Sequence, residues 1–268
     1  MKKQTIFAGI LSLSMVASVF AHDLFLKTDS YFLKPNSKFT VNVMNGTFLA
    51  SEGAVTFARL NDVSVVSGGN RVHPVEADLT KDETTAFLNL STGATGTYVI
   101  GLSTKAREIA LKAADFNEYL KEDGLPDTLE ERRKTGELEK DANERYAKHV
   151  KAILQVGKKQ TDDYKTILGY PVELVPQQNP YKLKKGDTME VLCLKDGKPL
   201  ADQVVLAGRE EKGKLTLAPE LRSDKKGIIE LKLDGSGKWY VKFINIVKLD
   251  DPKLNYESKW TTLTFEIR

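Results

Sequence analysis

The sequence predicts a mainly β protein: two immunoglobulin-like β-sandwich units with a helical insertion between them. Three observations predict it. Runs such as Lys38-Phe39-Thr40-Val41-Asn42-Val43 alternate polar and apolar residues with the two-residue period of a half-buried strand. Gly, Asn and Ser cluster between such runs, as in Ser67-Gly68-Gly69-Asn70, where turns are needed. A charged stretch from residue 106 to 170 interrupts the pattern with helical spacing and helix-start signals.

Residues 1–21 read as a signal peptide. Met1-Lys2-Lys3 is a positive start, Ile6 to Phe20 is apolar, and Val19 and Ala21 supply the small residues that signal peptidase requires. The apolar run is short for a membrane span and no second one follows, so cleavage between Ala21 and His22 and a periplasmic or secreted location are expected, with no span remaining afterwards. No cysteine stands just after the cut, which argues against a lipid anchor. Removing 21 of 268 residues leaves 247, and Lys2 and Lys3 leave with them, so 38 basic residues face 37 acidic ones. A net charge near +1 excludes nucleic acid as a partner on electrostatic grounds.

The N-terminal β domain is expected over 22–105. Its strands are Lys38–Val43, Val55–Ala58, Val63–Val66, Thr85–Leu88 and Gly96–Leu102. In the 106–170 insertion and connector, Asp115 with Glu118, Asp127 with Glu130 and Asp141 with Glu144 have capping-box spacing. They predict helices over Phe116–Lys121, Leu129–Lys134 and Ala142–Leu154. The last carries Tyr146, Val150, Ile153 and Leu154 on one face. The run Glu130-Glu131-Arg132-Arg133-Lys134 reads as a solvated helix surface. Residues 171–268 return to β, with strands around Val172–Val175, Thr188–Leu194, Gln203–Ala207, Ile228–Leu233, Trp239–Ile246 and Thr261–Ile267. Asp196-Gly197 is a hairpin turn signal, and six or seven strands in this span suit an immunoglobulin-like sandwich. Trp239 and Phe265 are expected in its core. The lone cysteine, Cys193, lies on an alternating strand and reads as a buried structural thiol.

No phosphate-binding loop, zinc-finger spacing, nucleophile elbow or recognisable triad is present, so the chain reads as a non-enzyme. The chemistry lies in its three histidines. Cleavage before His22 would give one residue two nitrogen donors, an α-amine and an imidazole Nδ1, which close a chelate ring on a borderline divalent metal. α-Amines titrate near ~8 and imidazoles near ~6.5, so both are available at neutral pH for modest cost. Asp23 is the expected outer partner, accepting from the imidazole or reaching the metal. Cleavage can equally leave a terminal histidine with no metal role. His73 precedes Pro74 in a loop, and His149 lies on the third expected helix; solvent exposure is the expectation for both.

A set of motifs is more specific. The stretch His22-Asp23-Leu24-Phe25-Leu26-Lys27 is followed by Tyr31 and Asn45-Gly46, then by Glu144-Arg145-Tyr146-Ala147-Lys148-His149-Val150-Lys151. Leu168-Gly169-Tyr170-Pro171, Asp196-Gly197-Lys198-Pro199-Leu200 and Gly237-Lys238-Trp239-Tyr240-Val241 come next in order, and Glu257-Ser258-Lys259-Trp260 ends the set. Over essentially all of 22–268 this order resembles a bacterial exported family catalogued as domain of unknown function 4198, some members of which are NikK-like periplasmic components of nickel or cobalt uptake. The resemblance implies a nickel or cobalt ion as cargo and a membrane metal-transport permease as partner. It also implies a histidine-rich loop after Val204–Gly208 and a histidine near the end of the Trp239 strand. This chain instead has Arg209-Glu210-Glu211-Lys212-Gly213-Lys214 and Ile244-Asn245-Ile246. The expected function is thus an exported, non-enzymatic binding protein with metal at His22. Two alternatives stand beside it: a metal-free structural, carbohydrate- or protein-contacting β-sandwich module, and a copper oxidase pairing His22 with His73 or His149.

Overall fold

The computed structural model describes residues 22–268, so the expected signal peptide lies outside the described residues. The chain is mainly β. Among the described residues an eleven-stranded sheet runs through the molecule, with a four-stranded sheet packed on each half. The order along the large sheet is Lys214–Leu217, Val204–Glu211, Gly237–Lys248, Tyr256–Ile267, Ala142–Val156, Gly96–Thr104, Leu60–Ser67 and Asn70–Val72.

Ala142–Val156 is the centre of this arrangement. Its expected helix is corrected to a fifteen-residue strand. It pairs antiparallel with Gly96–Thr104 (Ile153 opposite Val99) and parallel with Tyr256–Ile267 (Glu144 opposite Tyr256 through Ala152 opposite Thr264). That parallel pairing joins the N-terminal and C-terminal sandwiches into one sheet. The helical spacing misleads because residues 148–156 are buried on both faces. A strand covered on both sides loses its alternation and reads like a buried helix. Asp141, expected to cap this segment, instead accepts from the Ala113 amide at 3.0 Å and from Lys112 Nζ at 2.8 Å. It therefore caps the start of a helix 28 residues upstream.

That helix, α1, spans Ala113–Glu122, and α2 spans Pro126–Lys134. They enclose the two shorter expected helices, but neither uses the expected capping box: the N-caps are Lys112 and Leu125. Phe116, Tyr119 and Leu120 pack on Ile244, Tyr256 and Trp260 of the large sheet, with Tyr119 stacked on Trp260 at 5.5 Å. The charged run on α2 is not wholly solvated. Arg132 is buried, with its guanidinium 4.8 Å from the Phe116 ring centre, and donates to the Glu137 and Lys140 carbonyls. The expected strand at Val55–Ala58 is a loop ending in a turn of 3-10 helix at Phe57–Arg59.

The C-terminal core is built from Trp239, Val241, Leu263 and Phe265 of the large sheet against Leu174, Val191 and Ile229 of the small one. Trp239 and Phe265 stack at 6.5 Å between ring centres. Cys193 is buried in the same core, and burial pushes its thiol up to about 12, so it is inert at neutral pH. The Asp196-Gly197 turn forms as expected, with positive φ at both residues. In the N-terminal half, Leu24, Val43 and Leu88 of the small sheet face Ile100, Val150 and Leu154.

Candidate functional site

His22 enters the first strand, Asp23–Lys27, which pairs antiparallel with Lys38–Gly46. It lies at the rim of a cleft of about 500 Å³ between that sheet, the end of α1 and the large sheet. Its imidazole is half-buried, and Nε2 lies 3.3 Å from Glu52 Oε2. The backbone is held from below. The Lys148 ammonium donates to the His22 carbonyl and, at 3.1 Å, to Asn45 Oδ1.

Asp23 has a different partner from the one expected. Its carboxylate accepts from Lys242 Nζ, which also donates to Asp123 Oδ1 at 2.8 Å. Burial raises the Asp123 carboxyl above the usual range, against the pull of Lys242. Two carboxylates flanking one cation raise the Lys242 ammonium despite its burial. With Glu52 and Glu122, these acids give the cleft a negative lining. Its floor is aromatic: Phe25, Phe48 and Tyr240 meet pairwise with ring centres 5.0–5.3 Å apart.

The three histidines are not brought together. His73 is exposed, as expected, with Nδ1 3.0 Å from the Val63 carbonyl and from Asp62 Oδ1. His149 is corrected from exposed to buried. Its Nδ1 meets Ser103 Oγ at 2.9 Å and its Nε2 has no partner among the described residues. Burial, with Lys259 nearby, lowers its pKa to about 4, so it is neutral at physiological pH. Adjacent strand residues point to opposite faces, and Lys148 faces His22, so His149 faces away from it. The same parity separates Asn245 from Tyr240 and Lys242. Asn245 Nδ2 donates to Gln203 Oε1, beside α2 rather than in the His22 cleft. The Arg209–Lys214 segment does come close, since Leu215 just beyond it lines the cleft. Among the described residues, no three His, Cys, Asp or Glu side chains form a group suited to a metal ion.

Glu52, Lys148, Asn45, Asp123 and Lys242 were not found by sequence reasoning. Only tertiary pairing brings them to His22, and no local spacing signals it.

The family model described as Domain of unknown function (DUF4198) matches residues 19–246. The chain belongs to that family. No curated protein matches it. Among solved structures, the D0-D1 domain of intimin is 12% identical, with 89% of this chain and 95% of that chain covered, at a TM-score of 0.20. A marsupial T cell receptor is 11% identical, with 90% and 73% covered, also at 0.20. Such values do not identify a shared fold, and the sandwich assignment to this DUF4198 member rests on its own sheets.

Proposed function

We propose that this is an exported, non-enzymatic protein that binds a divalent transition metal, nickel or cobalt, at a processed His22 terminus and passes it to a membrane permease. One contact carries the reading: His22 Nε2 lies 3.3 Å from Glu52 Oε2. A carboxylate this close to Nε2 favours the tautomer with the proton on that side and leaves the Nδ1 lone pair free. Nδ1 is the nitrogen that closes a six-membered chelate ring with the α-amine once the Ala21–His22 bond is cut. The acidic lining of Asp23, Glu52, Glu122 and Asp123 favours a dication, and Lys242 offsets part of that field. With two nitrogens and no further preassembled ligand set among the described residues, most of the coordination sphere is left to water or a partner. That suits a cargo ion to be handed on better than a permanent structural metal.

The test is calorimetry with Ni²⁺ and Co²⁺ on three proteins: chain starting at His22, chain retaining Ala21, and His22→Ala. The N-terminus of exported material is checked by mass. The processed chain should bind at least tenfold more tightly than the other two. Equal affinity in all three would move the site elsewhere, and no binding in any would leave the metal-free module.

A further inference from the structure

A second cavity lies beside Lys148. It is small, about 160 Å³, and its lining includes Arg59, Arg107, Lys148, Thr56, Thr104 and Tyr146, with no Asp or Glu. Its three cations come from three segments. Arg59 ends the Phe57–Arg59 turn, which is tied to the end of the Gly96–Thr104 strand by the Lys105 amide donating to the Arg59 carbonyl at 2.8 Å. Arg107 stands opposite Tyr146 in the antiparallel ladder, and Lys148 is two residues further along, on the same face as Tyr146.

Like charges that converge in a partly desolvated space repel, and a protein normally places a carboxylate among them. Among the described residues none of the three makes an ion pair with a carboxylate; Asp23, Asp123 and Glu144 act on Lys148 from beyond pairing distance. Arg59 spends one donor on the Lys105 carbonyl at 3.1 Å and keeps the rest of its fork. Lys148 is only 6% exposed. Two of its three N–H bonds go to neutral oxygens, on His22 and Asn45, and one is left over. Thr104 Oγ1 accepts from the Lys148 amide at 2.9 Å, so its own proton is free to donate.

We propose that this cavity binds a small tetrahedral oxyanion of the phosphate or sulfate class, held by Arg59, Arg107 and Lys148. Three cationic arms from three directions match an anion with three or more oxygens, and a planar guanidinium suits two of them. The volume falls well below the roughly 300–1,000 Å³ of sites for larger organic ligands, which excludes a nucleotide. This inference goes beyond the metal reading and does not need it. The two sites share Lys148 and Asn45, so the test is run on metal-free protein.

The experiment is equilibrium dialysis of the processed chain with labelled phosphate and, separately, labelled sulfate, at ionic strength fixed with chloride. Wild type should bind about one anion per chain saturably, and unlabelled sulfate should displace phosphate. Arg107→Gln and Arg59→Gln should each weaken binding at least tenfold, while Arg145→Gln, a cation lining a different cleft, should leave it unchanged. Arg107 is exposed, so its variant reads out even where Arg59→Gln fails to fold. Absence of saturable binding in wild type would overturn the proposal. So would equal losses in Arg107→Gln and Arg145→Gln, which would mean general charge attraction. Displacement of phosphate by equimolar acetate would overturn the tetrahedral assignment.

Discussion

Lys148 and His149 are neighbours in the chain and serve opposite sides of one sheet. The Lys148 ammonium supports the His22 carbonyl, while the His149 imidazole meets Ser103 on the far face. The central strand thus divides the chemistry of the molecule. One face carries Lys148 and adjoins the proposed metal terminus; the other carries the neutral, buried His149 imidazole. Of the two imidazoles that a copper enzyme would pair with His22, His149 lies on the far face of the strand and His73 contacts Asp62 and the Val63 carbonyl.

His149 and Glu144, on this same strand, should have opposing effects on stability against pH. Burial first, then Lys259, lowers His149 to about 4 from 6.5. Its contribution is complete above about 6.5 and is lost as pH falls toward 4. Burial raises Glu144 from 4.5 to about 7, against the hydrogen bonds from Ser258 and Tyr119. Its contribution is complete below about 4.5 and is lost as pH rises toward 7. Each is worth about 3 kcal/mol across its window, and between about 4.5 and 6.5 the slopes oppose. Relative to wild type, Glu144→Gln should gain stability as pH rises through this range and His149→Gln should lose it. Denaturant melts at half-unit pH steps read the two differences; parallel curves would refute the pairing.

Lys242 holds two acids apart in the wall of the His22 cleft. It is 8% exposed and bonds both Asp23 and Asp123. Lys242→Met removes the cation and leaves two partly buried carboxylates facing each other. The expected loss is about 3–5 kcal/mol at neutral pH. It should shrink in acid, where the raised Asp123 carboxyl takes up a proton, and in the Lys242→Met/Asp123→Asn double variant. A loss below about 1 kcal/mol in the single variant would mean that water screens the cluster.

Trp239 anchors the C-terminal sandwich. Its ring is 1% exposed and stacks on Phe265, and its Nε1 donates to the Gly235 carbonyl at 3.1 Å. Trp239→Ala should cost about 3–5 kcal/mol, seen as a lower denaturation midpoint. An unchanged midpoint would contradict the packing described.

The C-terminal half was the most legible part of the chain. Its strands are covered on one face by core and alternate accordingly, so Trp239, Phe265 and Cys193 could be assigned to the interior from their spacing. The central strand was not legible, because Lys148 to Val156 is buried on both faces and carries no alternation. Asp141 misled for a related reason: it does cap a helix, but one that lies across space in α1 rather than next to it in sequence. For the site, His22 was legible because its interest comes from covalent position. Its surroundings were not, since Glu52 lies 30 residues and Lys148 126 residues away, and only strand pairing brings them together.

Glu52 is where the metal reading can be tested without touching the chelating residue. It is half-exposed and its contact with His22 lies at the surface, so Glu52→Ala should change stability by less than about 0.5 kcal/mol. Its effect on metal should be larger. Without the nearby carboxylate, its field no longer favours the proton on Nε2, so the Nδ1 lone pair is presented to the metal only part of the time. Loss of such an orienting partner typically weakens affinity about 10–100-fold. In the processed chain, Glu52→Ala should therefore bind Ni²⁺ at least tenfold more weakly than wild type. Glu52→Gln should fall between the two, because its amide oxygen accepts from Nε2–H without the charge. Calorimetry at pH 7.5 on the three proteins measures this. An unchanged affinity in Glu52→Ala, with binding lost in His22→Ala, would keep the chelate and remove Glu52 from it.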